Sequence, residues 1–341
     1  MMNKHMGRFL KTGVLILIGT FAIGLSACGN PKLKVNYSVD GKPVDELPSQ
    51  GFYEIVSIKT NNKNANATWD CNTWSLTTDT LTKNTTVNLD FAYTTHPFTV
   101  NGMGYDTLQD AFNAAGASHA EIYLTKDATG AGSTAVGSDI TFYLNGFTLD
   151  GTGSDTIVNN GKMEIIGAGT ITNTVSMGAN SKTLVNFGTL TVTDVILDNQ
   201  TDAFTLWNSN NGQSVLNMTN CTLSRTGGEI ITVINSGEMT VTGCTITGSG
   251  DLTHPTFLQN DAKAVLNISG STVSNSGSGY DLYRESGIVN MGDAVNTSNP
   301  YCIDAAGAAP AAAVLVASAS SASVEPHQMC PPSTMEAVRA S

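Results

Sequence analysis

Charge is scarce in this chain. Only 13% of its 341 residues are Asp, Glu, Lys or Arg, against roughly 25% in an ordinary soluble domain. Basic charge is scarcer still: 16 Lys and Arg stand against 28 Asp and Glu, a net charge of −12. That balance excludes nucleic acid and an anionic membrane surface as partners, since both need a positive field. There is no Cys-x-x-Cys and no His-rich cluster, which argues against a structural zinc site. The six cysteines, Cys28, Cys71, Cys221, Cys244, Cys302 and Cys330, are too scattered to form a disulfide framework. No Ser stands in a Gly-x-Ser-x-Gly turn. No apolar run reaches the ~20 residues of a membrane span. His254 precedes Pro255 without an acid–base partner at a fixed spacing, and reads as a solvated loop residue.

Ser, Thr, Asn and Gly fill the places that charge leaves, a composition suited to short strands and tight turns. The start of the chain is different. Lys4, Arg8 and Lys11 precede the apolar "GVLILIGTFAIGL", the pattern of an export leader. The join Leu25-Ser26-Ala27-Cys28 resembles a bacterial lipobox. The resemblance implies cleavage after Ala27, lipidation of Cys28, and a mature chain held on a bacterial membrane, outside the cytoplasm, by that lipid alone. Residues 1–27 are then a signal peptide and 28–36 a tether.

Residues 37–96 read as a small β-sandwich-like domain. "YEIVSI", "TWSLTT" and "TVNLDFAY" alternate apolar with polar, and Val87, Leu89, Phe91 and Tyr93 share one face. Trp69 and Trp74 read as core rather than as sugar platforms. The stretch "ATWDCNTWSLTTDTLTKNTTVNLDF" resembles modules common in surface proteins of gut Firmicutes, which implies display but no chemistry. Within 97–302, "YDTLQDAFNAAG" predicts a helix with Asp106 and Gln109 as a capping box, an apolar face of Leu108, Ala111, Phe112 and Ala115, and a stop at Gly116. Such a helix suits the open end of a repeat array. Residues 303–341 have no strand period and read as an Ala/Ser/Pro-rich disordered tail.

The remainder repeats itself. Copies align on Phe142, Met163, Leu190, Leu216, Met239 and Leu266, with spacings of 21, 27, 26, 23 and 27 residues. Each copy carries two short alternating strands broken by Gly, Asn or Asp, preceded by a third strand such as "DTIVNNG" or "KTLVNFG". Three strands per copy make one coil of a parallel solenoid. Asn159, Asn186, Asn208, Asn235, Gln259 and Asn290 recur at one corner. Coils stacked ~4.8 Å apart would align these amides into a hydrogen-bonded ladder.

With the Asn corner in view, the region resembles a right-handed parallel β-helix of the pectate-lyase-like superfamily. The fold expectation is therefore all-β: that solenoid with an N-terminal capping helix, after the small β domain. The polygalacturonase branch would require an Asp-Asp pair, a Gly-His-Gly and an Arg-x-Lys, and none is in this chain. The lyase branch implies calcium held by carboxylates and a basic side chain that removes a proton. Asp202, Glu229 and Asp251 fall at similar offsets in three consecutive copies and are the candidate calcium ligands, with Arg225 as candidate base. Cys221 and Cys244 share a column and read as small buried residues. Two functions follow as expectations. The first is a surface-anchored, non-catalytic module that binds polysaccharide or cell-surface glycan, through rows such as Thr191/Thr193 and Thr240/Thr242. The alternative is a calcium-dependent lyase of uronate-containing polysaccharide.

Overall fold

The computed structural model describes residues 31–303, apart from 72, 80, 82, 179–180, 210–213, 229 and 298–301. The leader, Cys28 and the 304–341 tail lie outside the described residues. Two compact units divide the chain. One runs to Pro48 and resumes over Ile55–Tyr93, and the other takes Ser49–Glu54 and everything from Thr94 onward.

The first unit holds a four-stranded sheet in the order Lys42–Val44, Leu33–Val39, Thr85–Tyr93, Tyr53–Thr60, and a separate hairpin of Ala67–Asp70 with Ser75–Thr78. Strand Thr85–Tyr93 buries Val87, Leu89 and Phe91 completely, whereas Tyr93 is half exposed at its end. Trp69 and Trp74 meet edge to face at 5.2 Å, and both pack on Phe91. The Trp74 indole N–H donates to the Pro48 carbonyl at 2.7 Å.

The second unit is a parallel β-solenoid of about seven turns. One coil shows its logic. Thr189–Thr193 lies in a ten-stranded first sheet, Ile196–Asn199 in an eight-stranded second sheet, and Leu206–Asn208 in an eight-stranded third; Val215–Thr219 then begins the next coil beside Thr189. Alternation sends Leu190, Val192, Leu197 and Leu206 inward to one continuous core, all fully buried. Between the first and second sheets the chain must turn through left-handed backbone. That corner is Asn145, Asp194, Asn220, Gly243 or Gly270, with φ between 53° and 65°. Only Gly, Asn and Asp occupy that region cheaply, which explains the breaks in the repeat.

The buried amides form a chain along the axis. Asn159 donates to Asn186, Asn186 to Asn208, Asn208 to Asn235 and Asn235 to Gln259, at 2.7–2.8 Å each. Each Asn also donates to a carbonyl of the next coil, as Asn208 does to Glu238 at 3.0 Å. The carboxamide oxygens of Asn159, Asn186 and Asn235 accept from the Gly two residues on. Glycine is needed there for space, since a Cβ on Gly188 would lie 2.0 Å from the Gly161 carbonyl oxygen.

Three details correct the sequence reading. Asn290 is not in this ladder: it belongs to the first sheet, paired with Asn267 in an exposed contact at 2.8 Å, and Arg284 holds the register position after Gln259. The phrase "IVN" fits both places, so local pattern could not separate them. The residue in register with Met163 is Ile140, not Phe142. A slip of two preserves the inward face and so leaves no trace in the alternation. The helix, Leu108–Ala115, is capped by Thr107, whose hydroxyl accepts from the Asp110 N–H at 3.1 Å, one residue beyond the expected box. Its buried face is the expected one, and Phe112 meets the core ring Phe142 edge to face.

Replacing Asn208 by Ala strands the Asn186 donor and the Glu238 carbonyl in the interior. The expected loss is about 2 kcal/mol of unfolding free energy, measured by urea titration. The exposed Asn290→Ala should stay within about 0.5 kcal/mol of wild type.

Candidate functional site

Of the three faces outside the solenoid, the third sheet's is apolar, while the first and second are polar, the second with in-register residues such as Thr222, Thr245 and Thr272. The outward middle residues of the third sheet are Val158, Val185, Trp207, Ile234, Leu258 and Tyr283. Ile231, Phe204 and Tyr280 pack with several of them as a small apolar cluster, and Phe187 meets Trp207 edge to face. The Lys182 ammonium sits 5.5 Å above the Trp207 ring and 3.7 Å from Asp155.

On the first sheet, every second residue of each strand points out, and the register is unbroken. One outward column reads Glu121, Thr141, Glu164, Thr191, Asn217, Thr240, Asn267, Asn290. The next reads Tyr123, Tyr143, Ile166, Thr193, Thr219, Thr242, Ser269. The face therefore has two parts. In these two columns the later coils carry hydroxyls and amides and the first three carry titratable groups, while a third outward column sets Glu238 among Val215, Val265 and Ile288 on the later coils.

In those first coils Tyr123 stacks on Tyr143 with ring centroids 4.8 Å apart and planes 15° from parallel. Gly51 lies against the Tyr123 ring so closely that a Cβ there would sit 2.4 Å from it. Tyr123 donates its hydroxyl to Glu121 at 2.7 Å, and Tyr143 to the other Glu121 oxygen at 3.3 Å. Burial, then the Glu121 charge and hydrogen bond, then Glu164, push the Tyr143 phenol up to about 12. Burial and Glu121 raise Tyr123 too. Beside them, Asp139 receives Lys162 at 3.1 Å and His119 at 3.3 Å. Slight burial would raise this carboxyl, but the two donors outweigh it and hold it below its ordinary range.

The expected lyase residues sit elsewhere. Arg225 ends a second-sheet strand, in register with Asn199, and is 5% exposed. Its guanidinium donates to the carbonyls of Ala203, Thr201, Gly228 and Ile230. Burial lowers its pKa, and Asp202 partly restores it. A side chain so enclosed struts the corner and faces no substrate. Asp202 is exposed; Asp251 accepts from the Thr253 hydroxyl at 2.7 Å and from His254 at 2.8 Å, and the Thr253 bond leads in lowering its pKa. These two carboxylates belong to coils two steps apart, roughly 10 Å between backbones at ~4.8 Å per coil, and Asp251 is already engaged by its own turn through Thr253 and His254. Glu229 lies outside the described residues. Among the described residues no three His, Cys, Asp or Glu side chains gather as a metal site. Cys221 and Cys244 are buried free thiols in adjacent coils, with the Cys221 N–H 3.4 Å from the Cys244 sulfur.

Comparison with protein-family models, curated proteins and solved structures finds no match. The geometry alone therefore carries the functional argument. No helix among the described residues is long and apolar enough to cross a membrane.

Two groups of residues escaped the sequence reading. Asn173, Asn199 and Asn275 line a second polar corner together with the candidate base Arg225, and there Asn199 donates to the Ser181 and Phe204 carbonyls and Asn275 to those of His254 and Tyr280. Asn199, Arg225 and Asn275 each fall nine residues after their repeat anchor and Asn173 ten after Met163, and that spacing was the available signal. The Tyr–Glu cluster was missed because "HAEIYL" was not aligned as a coil.

Arg225→Ala should cost about 3 kcal/mol by leaving buried carbonyls without donors, and Arg225→Lys should not restore it; urea titration reads both. At high pH the folded chain keeps the Tyr143 proton longer than an unfolded tyrosine, whose pKa is ~10. That contribution to stability is complete below pH ~10 and is lost as pH rises through about 12. Phenolate absorbance should show this late titration, moved back toward the ordinary value by Glu121→Gln.

Proposed function

We propose that this chain is a surface-displayed, lipid-anchored protein whose solenoid binds polysaccharide or cell-surface glycan without cleaving it. The observation that carries the reading is the outward face of the first sheet over its later coils. There Thr191/Thr193, Asn217/Thr219, Thr240/Thr242 and Asn267/Ser269 repeat in register. A glycan is itself a repeat of hydroxyls, and a periodic row of donors and acceptors can meet it unit after unit. Each exposed hydrogen bond contributes only about 0.5–1.5 kcal/mol net, so useful affinity comes from several units engaged together. The rigid stack supplies that multiplicity at low ordering cost.

The acidity of the chain, −12 overall, supports a partner that is not a polyanion. The enclosed Arg225 guanidinium supports binding over lyase chemistry, since proton abstraction needs a base within reach of the sugar. Anchorage through Cys28 supports display outside the cytoplasm. Calcium enters this reading only through the alternative function.

The test is retention of the full chain on a panel of neutral, acidic and basic polysaccharides, with calcium and with chelator, while polymer length is followed. The expected result is retention on at least one polysaccharide, unchanged polymer length, and several-fold weaker retention of a Thr191→Ala/Thr240→Ala variant. Retention on none, or calcium-dependent shortening of any polymer, contradicts the proposal.

A further inference from the structure

Cys221 and Cys244 stand at the same place on successive coils. Each follows a left-handed corner residue, Asn220 or Gly243, at the end of a first-sheet strand. Register fixes the match from both sides, since Thr219 pairs with Thr242 and Thr222 with Thr245. Both side chains belong to the core and are 1% exposed. The flanking coils carry Val195 and Ser271 at this position, so the two sulfurs meet at a single step of the column.

The backbone of this corner leans on the side chain of the next coil. The Cys221 N–H donates to the Cys244 sulfur at 3.4 Å, and the Cys244 N–H donates to the Ser271 hydroxyl at 3.0 Å. The Cys244 sulfur is thereby held against the residue it would join. The Cys221 thiol meets the carbonyls of Val192 and Thr219 at 3.4 and 3.3 Å. A thiol is a weak donor, so little is lost when its proton leaves. A hydrogen bond between the two thiols lowers the Cys244 pKa to about 7 and raises that of Cys221, with burial adding to the rise. Cys244 is the first of the two to become a thiolate.

The spacing permits a bond. In-register residues of neighbouring strands stand ~4.8 Å apart, inside the range of roughly 4.4–6.8 Å between the Cα atoms of bridged cysteines. The Cβ atoms need to close by roughly 0.5 Å. The Cys221 N–H is bonded to sulfur and not to a ladder carbonyl, which leaves this point of the corner freer to shift than the middle of a strand.

We infer that Cys221 and Cys244 are a modification site, joined by a disulfide that staples two adjacent coils of the solenoid. The oxidant is itself a disulfide, small or carried by a protein, as found in oxidising compartments. The Cys244 thiolate attacks one of its sulfurs and releases the other as a thiolate. Cys221, deprotonated in turn, attacks the Cys244 sulfur of the mixed disulfide and expels the second thiolate. Each released thiolate takes up one of the two cysteine protons. Two cysteine thiols are oxidised, and one external disulfide is reduced to two thiols. Both cysteines are enclosed in the finished fold, so the exchange takes place as the coils close. The staple lies two residues after Thr219 and Thr242, and ties together two neighbouring rows of the outward face. It does not depend on what that face binds.

The experiment refolds the full chain from urea in buffers poised with reduced and oxidised glutathione. Remaining thiols are blocked with iodoacetamide, and the chain is digested with trypsin without reduction. Cleavage after Lys182, Arg225 and Lys263 leaves Cys221 and Cys244 in separate peptides, each with a single cysteine. The expected product in the oxidising buffers is these two peptides linked, lighter by two hydrogens than their sum, as the main form of both. The same buffers with urea retained read the pair in the unfolded chain. The ratio of reduced to oxidised glutathione that breaks half of the linkage should be at least about tenfold higher for the refolded chain. Linkage that is reduced as easily in the refolded chain as in urea overturns the inference, because the fold would then not favour the bond. So does recovery of both cysteines as alkylated or glutathione-bound thiols after oxidising refolding. Cys244→Ser keeps an acceptor for the Cys221 N–H, as Ser271 does one coil on, and should leave Cys221 unlinked. Cys221 joined to another cysteine of that variant, as fully as to Cys244 in wild type, marks chance pairing and also overturns the inference. Chain purified after export to a bacterial periplasm gives the same readout without refolding: the linked peptides are expected, and free thiols at both positions contradict the staple.

Discussion

The buried amide chain from Asn159 to Gln259 is the constraint on which the rest of the solenoid depends. Apolar contacts hold the coils together but specify little, since a Leu stacks almost as well on one neighbour as on another. An amide in the interior is less forgiving. Asn186, Asn208 and Asn235 are fully buried, and each donor or acceptor left without a partner there would cost about 1–3 kcal/mol. A coil shifted against its neighbour would strand several at once. The ladder therefore penalises every register but one, and fully satisfied polar networks of this kind favour a single packing.

From that fixed register the exterior follows. Third-sheet strands begin after a buried threonine, and Thr156, Thr183, Thr205, Thr232 and Thr256 each donate a hydroxyl to a second-sheet carbonyl of the next coil. The left-handed corner at Asn145, Asp194, Asn220, Gly243 and Gly270 turns five coils at the same point, and Gly167 with φ 95° takes that place in the coil of Met163. With both corners pinned, residues two apart on a first-sheet strand face outward at the same height in successive coils. Rows such as Thr191 and Thr193 gain their regularity from groups that never touch solvent.

Much of this was legible in the sequence, for physical reasons that also mark where reading failed. The coil period, the inward columns, the Asn corner and the helix face all carry strict spacing, because burial tolerates few alternatives. Tyr93, at the end of its strand, escaped the burial its alternation suggested. Asn290 imitated a ladder residue because first- and third-sheet strands share the pattern of two apolar residues followed by an amide. The site was the least legible part. Arg225 and Asp202 fall at one corner of successive copies and suggest a surface pair, yet the guanidinium turns inward to backbone carbonyls. The Glu121 and Tyr123 cluster needs neighbours from Tyr143 and Glu164, and no local spacing announces that meeting.

Function then separates from fold along the same lines. The interior explains why the rod exists and is indifferent to what it binds. In the proposed reading, recognition belongs to the outward columns of the first sheet. Those columns keep their alignment only while the amide chain is intact. Side-chain amide hydrogen exchange of Asn208 and Asn235, followed by NMR, tests that dependence most directly. Exchange as slow as that of the buried first-sheet backbone, released only with global unfolding, is the predicted result. Exchange near the rate of a free carboxamide would contradict it, and with it the claim that the ladder sets the register of the surface.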